Sequence, residues 1–278
     1  MNRAGSVTDN TECTFGKERV QKMESTAITI MSFNVQQWHR LNSNFSLMKH
    51  IIDQYHPDVI ALQEFTQTAG GTDTRTVLFA DYPFYHVYKG DGEGVFNPIA
   101  VVSKIPFEDI SGNVYQAQYT ASGEKRGFIK ARIRIRGIPV TVYNTHLEVM
   151  PTADASRTIR TAQAMELLNM MKQDENAICI GDFNTADCFD ENGADYAMII
   201  RPFLEEGYHS ANCSDQHGFL KTWFDGNTPE VSEHCGCLDQ IFTTSNIVID
   251  NVTVDKEKDN PRNTEYIDHF PIVAYCHL

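Results

Sequence analysis

Short apolar runs separated by polar turns recur along the chain from residue 26 to the C-terminus. Runs of roughly four to eight residues with this character are typical of β-strands. Strands are predicted at residues 27–33, 59–62, 98–103, 128–135, 140–144, 177–180, 238–243, 247–254 and 272–276. The segment Arg136-Gly137-Ile138-Pro139 joins two of these runs, which therefore form a predicted hairpin.

Two segments repeat their apolar residues with a helical period instead. The first carries Phe45, Leu47, Met48, Ile51, Ile52 and Tyr55, and the second carries Ile159, Ala162, Met165 and Leu168 within residues 155–172. His56-Pro57 ends the first helix, because a residue that precedes proline is pushed out of helical geometry. Few helices and many strands predict two packed β-sheets with helices outside them.

No stretch rich in glycine, serine or proline divides the chain, so we expect one domain over residues 26–278. Residues 1–25 are polar and of mixed charge, and we expect them to form a loosely ordered tail. The tail lacks the apolar core and the cleavage site of a signal peptide, which favours a cytoplasmic protein, although a leader removed earlier would leave no trace. No run approaches the roughly 18 apolar residues of a membrane span.

The composition narrows the range of functions only modestly. The formal net charge is -14. This charge disfavours tight, sequence-independent binding to nucleic acid, which depends on lysine and arginine side chains that neutralise phosphates. It is compatible with a hydrolase, because metal-binding carboxylates add negative charge that the bound cation reverses locally. Seven cysteines, an odd number, fit a reducing compartment.

Polar residues follow or begin several of the predicted strands. Gly181-Asp182-Phe183-Asn184 comes directly after an apolar run and places a carboxylate and a carboxamide on one side of an extended backbone. Such oxygens suit a hard cation or a phosphoryl group, although Asp and Asn at a strand end are by themselves more typical of a turn. The other positions are Asn34, Glu64, His146, Asp239 and Asp268-His269. Strand ends that carry only Asn, Asp, Glu and His favour a shared site on one rim of the sheets.

Taken in order, six segments resemble the motifs of the endonuclease/exonuclease/phosphatase superfamily, the group typified by pancreatic deoxyribonuclease and the abasic-site endonucleases. They are Ser32-Phe33-Asn34, Leu62-Gln63-Glu64, Asn144-Thr145-His146-Leu147, Gly181-Asp182-Phe183-Asn184, Leu238-Asp239-Gln240-Ile241 and Asp268-His269-Phe270-Pro271. The resemblance runs from residue 26 to the C-terminus, and the ordered set is specific although no single segment is. It implies an α/β fold, a four-layered sandwich of two mixed β-sheets flanked by helices. It also implies metal-dependent hydrolysis of a phosphoester by direct attack of water.

The resemblance also implies a role for each position. Glu64 is similar to the principal metal ligand of the family, with Asn34 and Asp268 assisting. The implied ion is Mg²⁺, for which Mn²⁺ can substitute. Asp182 is similar to the residue that orients or deprotonates the attacking water, and Asn184 to the one that holds the phosphate.

Two histidines and two arginines complete the implied site. His269 matches the family histidine that pairs with a carboxylate, here Asp239, which would fix its tautomer and favour the imidazolium. His146 matches the second histidine, which can hydrogen-bond the phosphoryl oxygen or protonate the leaving group. Both histidines are assigned as catalytic without ranking. Arg126 and Arg160 resemble phosphate-binding arginines of the family, and the alternative for each is a solvated surface side chain.

Two positions depart from the family pattern. Gln36 stands where several relatives carry an acidic residue, which disfavours a second metal site because a neutral amide attracts Mg²⁺ less than a carboxylate does. Ile267 precedes Asp268-His269 where serine is usual.

Two other groups of residues leave their roles open. One consists of Cys213, His217, His234, Cys235 and Cys237. Its spacing matches no common zinc motif, so unpaired thiols in a loop are favoured over a zinc site. The other, Trp38-His39-Arg40, could stack on a base and contact a phosphate, or pack half-buried in a loop.

Three functions remain open at this level. The first is a metal-dependent phosphodiesterase acting on nucleic acid, which the motifs and the cationic residues Lys125 and Arg126 favour. The second is a phosphatase or phosphodiesterase of a small phosphoester, such as an inositol phosphate or a phospholipid headgroup, which the net charge tolerates better. The third is a catalytically inactive binding module of the same fold, which is disfavoured because all the catalytic positions are present. The expected partner is thus a phosphoester substrate, and the sequence identifies no protein partner.

Overall fold

The computed structural model of the chain describes residues 26–36, 45–69, 71–90, 95–118, 124–149, 153–188, 190–223, 236–255 and 268–278. The expected tail at residues 1–25, the Trp38-His39-Arg40 segment, His234, Cys235 and Ile267 lie outside the described residues.

In chain order, the strands are β1 (Ala27–Asn34), β2 (Val59–Gln63), β3 (Thr68–Ala69), β4 (Thr72–Asp73), β5 (Phe84–Tyr88), β6 (Val95–Phe96), β7 (Ile99–Ser103), β8 (Phe107–Val114), β9 (Glu124–Lys125), β10 (Gly127–Ile135), β11 (Ile138–His146), β12 (Ala177–Asp182), β13 (His209–Ser210), β14 (Asp239–Thr243), β15 (Val248–Val254) and β16 (Ile272–His277). The helices are α1 (Ser46–Tyr55), α2 (Thr74–Leu78), α3 (Ala153–Met171) and α4 (Arg201–Glu205), and a π-helical turn, Tyr196–Ile200, leads into α4.

Two mixed sheets of six strands each make up the centre of the described part of the chain. The first has the order β15-β16-β1-β2-β7-β5, and the second has the order β13-β14-β12-β11-β10-β8. In each sheet one central pair is parallel, β1 with β2 and β11 with β12, and the other neighbours are antiparallel. The two sheets therefore repeat one pattern of pairing, with β1 and β12 in equivalent central places.

The sheets pack face to face, with helices on their outer faces. Alternate residues of the central strands form the layer between the sheets, including Ile28, Ile30, Val101, Ile129, Val142 and Ile178. The outer face of the first sheet packs against α1, where Met31 and Ile60 meet Met48. The outer face of the second sheet packs against α3 and α4, where Tyr143 meets Leu167 and Phe203. The arrangement confirms the predicted four-layered α/β sandwich.

Helix α1 and strand β10 end where the sequence predicts. His56 adopts a left-handed conformation, φ 45°, and its amide donates a hydrogen bond to the carbonyl of Ile52 at 2.9 Å, which closes α1. The predicted hairpin between β10 and β11 has a turn of two residues, Arg136 and Gly137, at φ 47° and 92°. Positive φ at both central positions matches the twist of the flanking strands.

A buried carboxamide pair connects the two sheets below the polar strand ends. Gln63 Nε2 donates to Asn144 Oδ1 at 2.8 Å across the layer. Asn144 Nδ2 donates to the carbonyls of Leu62 and Ala100 at 3.0 and 2.7 Å. This network sets the relative position of β2 and β11, the strands that lead to Glu64 and His146. Among the described residues, no helix is both long enough and apolar enough to cross a membrane.

Candidate active site

The ends of the two central parallel pairs bring polar side chains of both sheets to one end of the sandwich. Asn34 ends β1 in register with β2, and Glu64 directly follows β2. In the second sheet, His146 ends β11 in register with Asp182, which ends β12. Asp239 opens the antiparallel strand β14 beside Asp182. The topology therefore gathers residues that are far apart in the chain.

The carboxylate of Asp182 is the centre of this cluster. Its Oδ2 accepts a hydrogen bond from Asn34 Nδ2 at 2.9 Å, across the two sheets. The same oxygen lies 3.4 Å from His146 Nε2 and 3.6 Å from His269 Nε2. Its Oδ1 accepts a hydrogen bond from the backbone N–H of Asn184 at 2.8 Å. Because Asp182 is only 1% exposed, these donors replace water around its charge.

At three positions around the cluster the backbone has a close contact or a positive φ that few residue types allow. A Cβ atom at Gly181 would lie 2.1 Å from the carbonyl oxygen of Thr145, so only glycine lets β12 approach β11 at this point. Glu64 and Asn184 adopt positive φ values of 52° and 51°. Residues other than glycine rarely occupy this region, and such conformations concentrate at functional sites.

Asp239 fixes the orientation and charge of His269. Its Oδ2 lies 2.8 Å from His269 Nδ1, and both side chains are buried. Burial lowers the pKa of His269, but the charges of Asp239 and Asp182 outweigh burial and raise this pKa to about 10. His269 is therefore an imidazolium at neutral pH.

His146 has the opposite electrostatic environment. Arg126 Nη1 lies 3.1 Å from His146 Nδ1. A guanidinium can only donate, so Nδ1 is the acceptor and the ring proton is on Nε2, which faces Asp182. Burial lowers the pKa of His146 far below its usual value, and the charges of Arg126 and His269 add to the effect. The two histidines thus differ in charge, a distinction that the sequence does not provide.

The acidic side chains of the cluster resist ionisation. Burial raises the pKa of Asp182 to about 7, with Asp239 adding to the increase and His269 opposing it. Burial also raises the pKa of Glu64, which His269 and Asn34 partly oppose. Burial, with a contribution from neighbouring carboxylates, therefore favours the neutral form of both acids.

A cavity of about 350 Å³ opens beside these groups. Its lining residues are Glu64, Val149, Asp182, Asn184, Ala186, Trp223, Leu238, Asp268 and His269. The lining combines carboxylates and other polar groups with the apolar side chains of Val149, Ala186 and Leu238. Trp223, which the sequence did not single out, donates from Nε1 to Asp268 Oδ2 at 3.4 Å and pairs with His269 through an isolated β-bridge. Nothing local in the sequence indicates this contact between residues 45 positions apart.

The oxygen atoms in the cavity suit a hard cation. Glu64 and Asp268 both line it, and Asp268 is close enough to raise the pKa of Glu64. The buried Oδ1 atoms of Asp268 and Asp239 have no hydrogen-bond partner among the described residues. Ligand atoms of Asp182, Asp239 and His269 also lie within 4.8 Å of one another, but an imidazolium at His269 has no lone pair for a metal, so this trio is not a donor set. The orphaned oxygen of Asp268, with Glu64 beside it in the cavity, is the kind of donor that Mg²⁺ or Mn²⁺ takes in proteins.

Asn34 presents its nitrogen to the carboxylates. Nδ2 donates to Asp182 and, at 3.4 Å, to Glu64, whereas Oδ1 accepts from the backbone N–H of Gln36 at 3.0 Å. In this orientation the side chain positions two carboxylates. Direct metal ligation by Asn34, as the sequence implied, requires the carboxamide to turn over.

The two arginines with an expected phosphate contact differ in position. Arg126 is 2% exposed and does not itself line the cavity, but it is next to His146 and close enough to lower the pKa of Glu64 by its charge. Arg160 is 0% exposed and donates from Nη2 to Asp195 Oδ1 at 2.8 Å and from Nη1 to the carbonyl of Glu148 at 3.4 Å. Asp195 in turn accepts a hydrogen bond from the backbone N–H of Asp187, in the loop that follows Asn184, so Arg160 holds that loop through Asp195. This geometry speaks against phosphate binding by Arg160.

Of the cysteine and histidine group, the structure describes Cys213, His217 and Cys237, and these three are not brought together as metal ligands. The acidic and histidine cluster named above is the one gathering of three metal-ligand atoms found among the described residues. Cys213 and Cys237 are instead fully buried free thiols, in line with the expected unpaired thiols.

The comparisons with known proteins agree with the fold. The family model for the endonuclease/exonuclease/phosphatase family matches residues 31–261. No curated protein is significantly similar to this chain in sequence.

Several solved structures are similar. D. rerio TDP2 complexed with a single-strand DNA product has a TM-score of 0.69 at 20% identity, covering 91% of this chain and 99% of that chain. The beta toxin of Staphylococcus aureus, with bound magnesium ions, has a TM-score of 0.68 at 19% identity, covering 89% and 99%. The 3′ phosphatase NExo from Neisseria, bound to a product DNA hairpin, has a TM-score of 0.64 at 19% identity, covering 89% and 98%. At these identities the likeness concerns the fold.

Proposed function

Because the chain belongs to the endonuclease/exonuclease/phosphatase family, we propose that it hydrolyses a phosphoester bond by direct attack of water with the help of a divalent cation. The observation that carries the proposal is the convergence on Asp182 Oδ2 of Asn34 from one sheet and His146 from the other, with His269 alongside. A buried carboxylate with two histidines of different charge beside a cavity is an arrangement that suits proton transfer.

The attacking water is activated by Asp182. A base is most effective when its pKa is close to the working pH, and burial brings the pKa of Asp182 to about 7. His269, kept as an imidazolium by Asp239, stabilises the negative charge that develops on the phosphoryl group. His146 is neutral and donates from Nε2, while Asn184 orients the phosphate.

Glu64 and Asp268 hold the cation, which we propose to be Mg²⁺ or Mn²⁺. When bound, it would polarise the phosphoryl oxygens and neutralise charge. Asn34 joins these ligands through Oδ1 once its amide turns over. Arg126 is the proposed cationic contact to the phosphate, because it lies against His146 at the same rim.

The substrate that we favour is a phosphodiester of nucleic acid. Two similar structures contain DNA products, and the cationic residues Lys125 and Arg126 lie on the strand and turn next to His146. A small phosphoester, such as an inositol phosphate or a phospholipid headgroup, is the second candidate. It is favoured by the net charge of -14 and by the modest cavity. A reducing compartment, the cytoplasm, suits the buried free cysteines of the described residues.

One experiment separates these possibilities. The purified chain is incubated with single-stranded and double-stranded DNA, RNA, inositol phosphates and sphingomyelin, each with Mg²⁺, with Mn²⁺ and with excess EDTA. We expect turnover on one substrate class, its loss in EDTA, and a decrease of at least about 100-fold in Asp182→Ala, because a catalytic base contributes roughly that factor.

The matched control is Asp109→Ala, which removes an exposed aspartate from β8. It is expected to retain the wild-type rate. Undiminished turnover in EDTA would exclude the cation, and a wild-type rate in Asp182→Ala would remove this residue from the mechanism. Absence of turnover on every substrate would support the inactive binding module.

A further inference from the structure

Three cysteines that have no role in the proposed mechanism lie in or next to the loops that carry residues of the active site. Cys188, Cys213 and Cys237 are each 0% exposed. The sulfur atoms of Cys188 and Cys213 are 3.1 Å apart, and the thiol of Cys213 also exchanges a hydrogen bond with that of Cys237. Gln240 Nε2 completes the cluster with a contact to Cys213 Sγ at 3.5 Å.

Each sulfur belongs to a segment that carries or supports a catalytic side chain. Cys188 lies in the loop that begins with Asn184. Cys213 follows Asn212, whose Nδ2 donates to the carbonyl of Asp239 at 3.1 Å. The thiols therefore sit where two separate loops pack against the active-site end of β14.

We propose that Cys188 and Cys213 are a modification site, an oxidisable pair whose disulfide ties the Asn184 loop to the loop before β14. A disulfide bond is about 2.05 Å long, so the two sulfurs need to approach by only about 1 Å. Cys213 has a positive φ of 60°, and the adjustment falls in loops and not in the strands. The pair is 25 residues apart in the chain, a span over which a crosslink restricts the unfolded state appreciably.

The oxidant that suits these buried thiols is small and neutral, namely a peroxide. One cysteine sulfur attacks hydrogen peroxide, which gives a sulfenic acid and one water. The second sulfur displaces the hydroxyl group of the sulfenic acid, which forms the disulfide and releases a second water. Two thiols are oxidised by two electrons and one peroxide is reduced. Burial raises the pKa of Cys213, so its thiolate is scarce and the reaction is slow near neutral pH.

The test uses the full chain, first reduced and desalted and then exposed to hydrogen peroxide at mildly alkaline pH. We expect a mass lower by about 2 Da and a crosslinked peptide that joins Cys188 to Cys213. The oxidised protein should melt about 5–10 °C higher than the reduced protein, and dithiothreitol should reverse the change.

Cys188→Ala and Cys213→Ala should each lose both effects, whereas the matched control Cys179→Ala, at a buried thiol within β12, should keep them. Cys188→Ala decides the matter if the Cys213 variant does not fold. A crosslink between other cysteines, a gain of oxygen without a crosslink, or an oxidised form that melts no higher would each overturn the proposal. These readouts do not depend on activity.

Discussion

At the scale of single residues, the proposed catalytic base Asp182 also has an energetic cost. Its pKa is raised to about 7, mainly by burial. A carboxyl whose folded pKa exceeds its unfolded value destabilises the fold above the unfolded pKa, and the penalty is complete above the folded pKa. The imidazolium of His269 offsets part of this penalty.

We therefore predict that Asp182→Asn is more stable than the wild type when metal is absent. In EDTA at pH 8 the free energy of unfolding should increase by on the order of 2 kcal/mol, and the difference should disappear as the pH falls through 7 towards 4. Thermal melting of both proteins across this pH range measures the effect. Equal stability at pH 8 would contradict a raised pKa of Asp182, since that pKa already includes the effect of His269.

Arg160 shows that the type of a residue does not by itself reveal its role. Its guanidinium forms a fully buried ion pair with Asp195. We predict that Arg160→Met lowers the free energy of unfolding by about 3–5 kcal/mol, because Asp195 keeps a buried charge with fewer donors. Urea denaturation measures the change.

The corresponding substitution at Arg126 should affect substrate binding more than stability. Arg126→Met should raise KM for the substrate. Its loss of stability should be smaller than that of Arg160→Met because Glu124, the ion-pair partner of the buried Arg126, is partly exposed whereas Asp195 is buried. A comparable increase in KM in Arg160→Met, without loss of stability, would restore a phosphate-binding role to Arg160.

At the scale of elements, the sequence predicts the central strands well, whereas of the four edge strands it predicts β15 and misses β5, β8 and β13. Strands β2, β7 and β12 are buried on both faces, so their sequences begin as continuous apolar runs. The edge strand β8 has the sequence FEDISGNV and is largely half-exposed, so neither an apolar run nor a strict alternation marks it. Short strands such as β13 depend on pairing with β14, which is a tertiary contact.

The residues of the site also divide into those that the sequence predicts and those that it does not. The residues at the ends of central strands could be predicted because their order along the chain is distinctive. The contact of Trp223 with Asp268, the ion pair of Arg160 and the packing of Cys188 against Cys213 join segments 45, 35 and 25 residues apart. No periodicity or local motif specifies such partners.

The carboxamide pair between β2 and β11 leads to a further prediction. Asn144→Leu removes the acceptor of Gln63 Nε2 and the donor to two carbonyls, so it should lower the free energy of unfolding by about 2–4 kcal/mol. Because β2 and β11 end next to Glu64 and His146, kcat should also fall.

The double variant Gln63→Leu with Asn144→Leu is the matched control, because it leaves no unpaired carboxamide. It should recover part of the stability lost in Asn144→Leu, and chemical denaturation of the four proteins gives the coupling energy. Additive losses would show that the two carboxamides contribute independently.

At the scale of the whole molecule, the proposed active site is assembled from both sheets and holds several carboxylates in a largely buried position. Glu64 follows a strand of the first sheet and Asp182 ends a strand of the second. The pKa of each is raised mainly by burial, with a neighbouring carboxylate, Asp268 or Asp239, adding to the increase. The net charge of -14 adds to this field. A cation bound by the carboxylates would therefore relieve repulsion at the junction of the two sheets and not only assist the chemistry.

This argument predicts a cation-dependent stability of the folded chain, measurable without any substrate. A ligand that binds the folded state alone at about 100 times its Kd contributes about 2.7 kcal/mol, which corresponds to about 5–10 °C in Tm for a chain of this size. Millimolar Mg²⁺ or Mn²⁺ should thus raise the melting temperature of the protein stripped with EDTA. Glu64→Gln should abolish most of the increase by removing a ligand charge, whereas Asp109→Asn should keep it, since Asp109 is exposed on β8. A shift that persists in Glu64→Gln would place the cation elsewhere, and no shift in the wild type would exclude a preformed cation site.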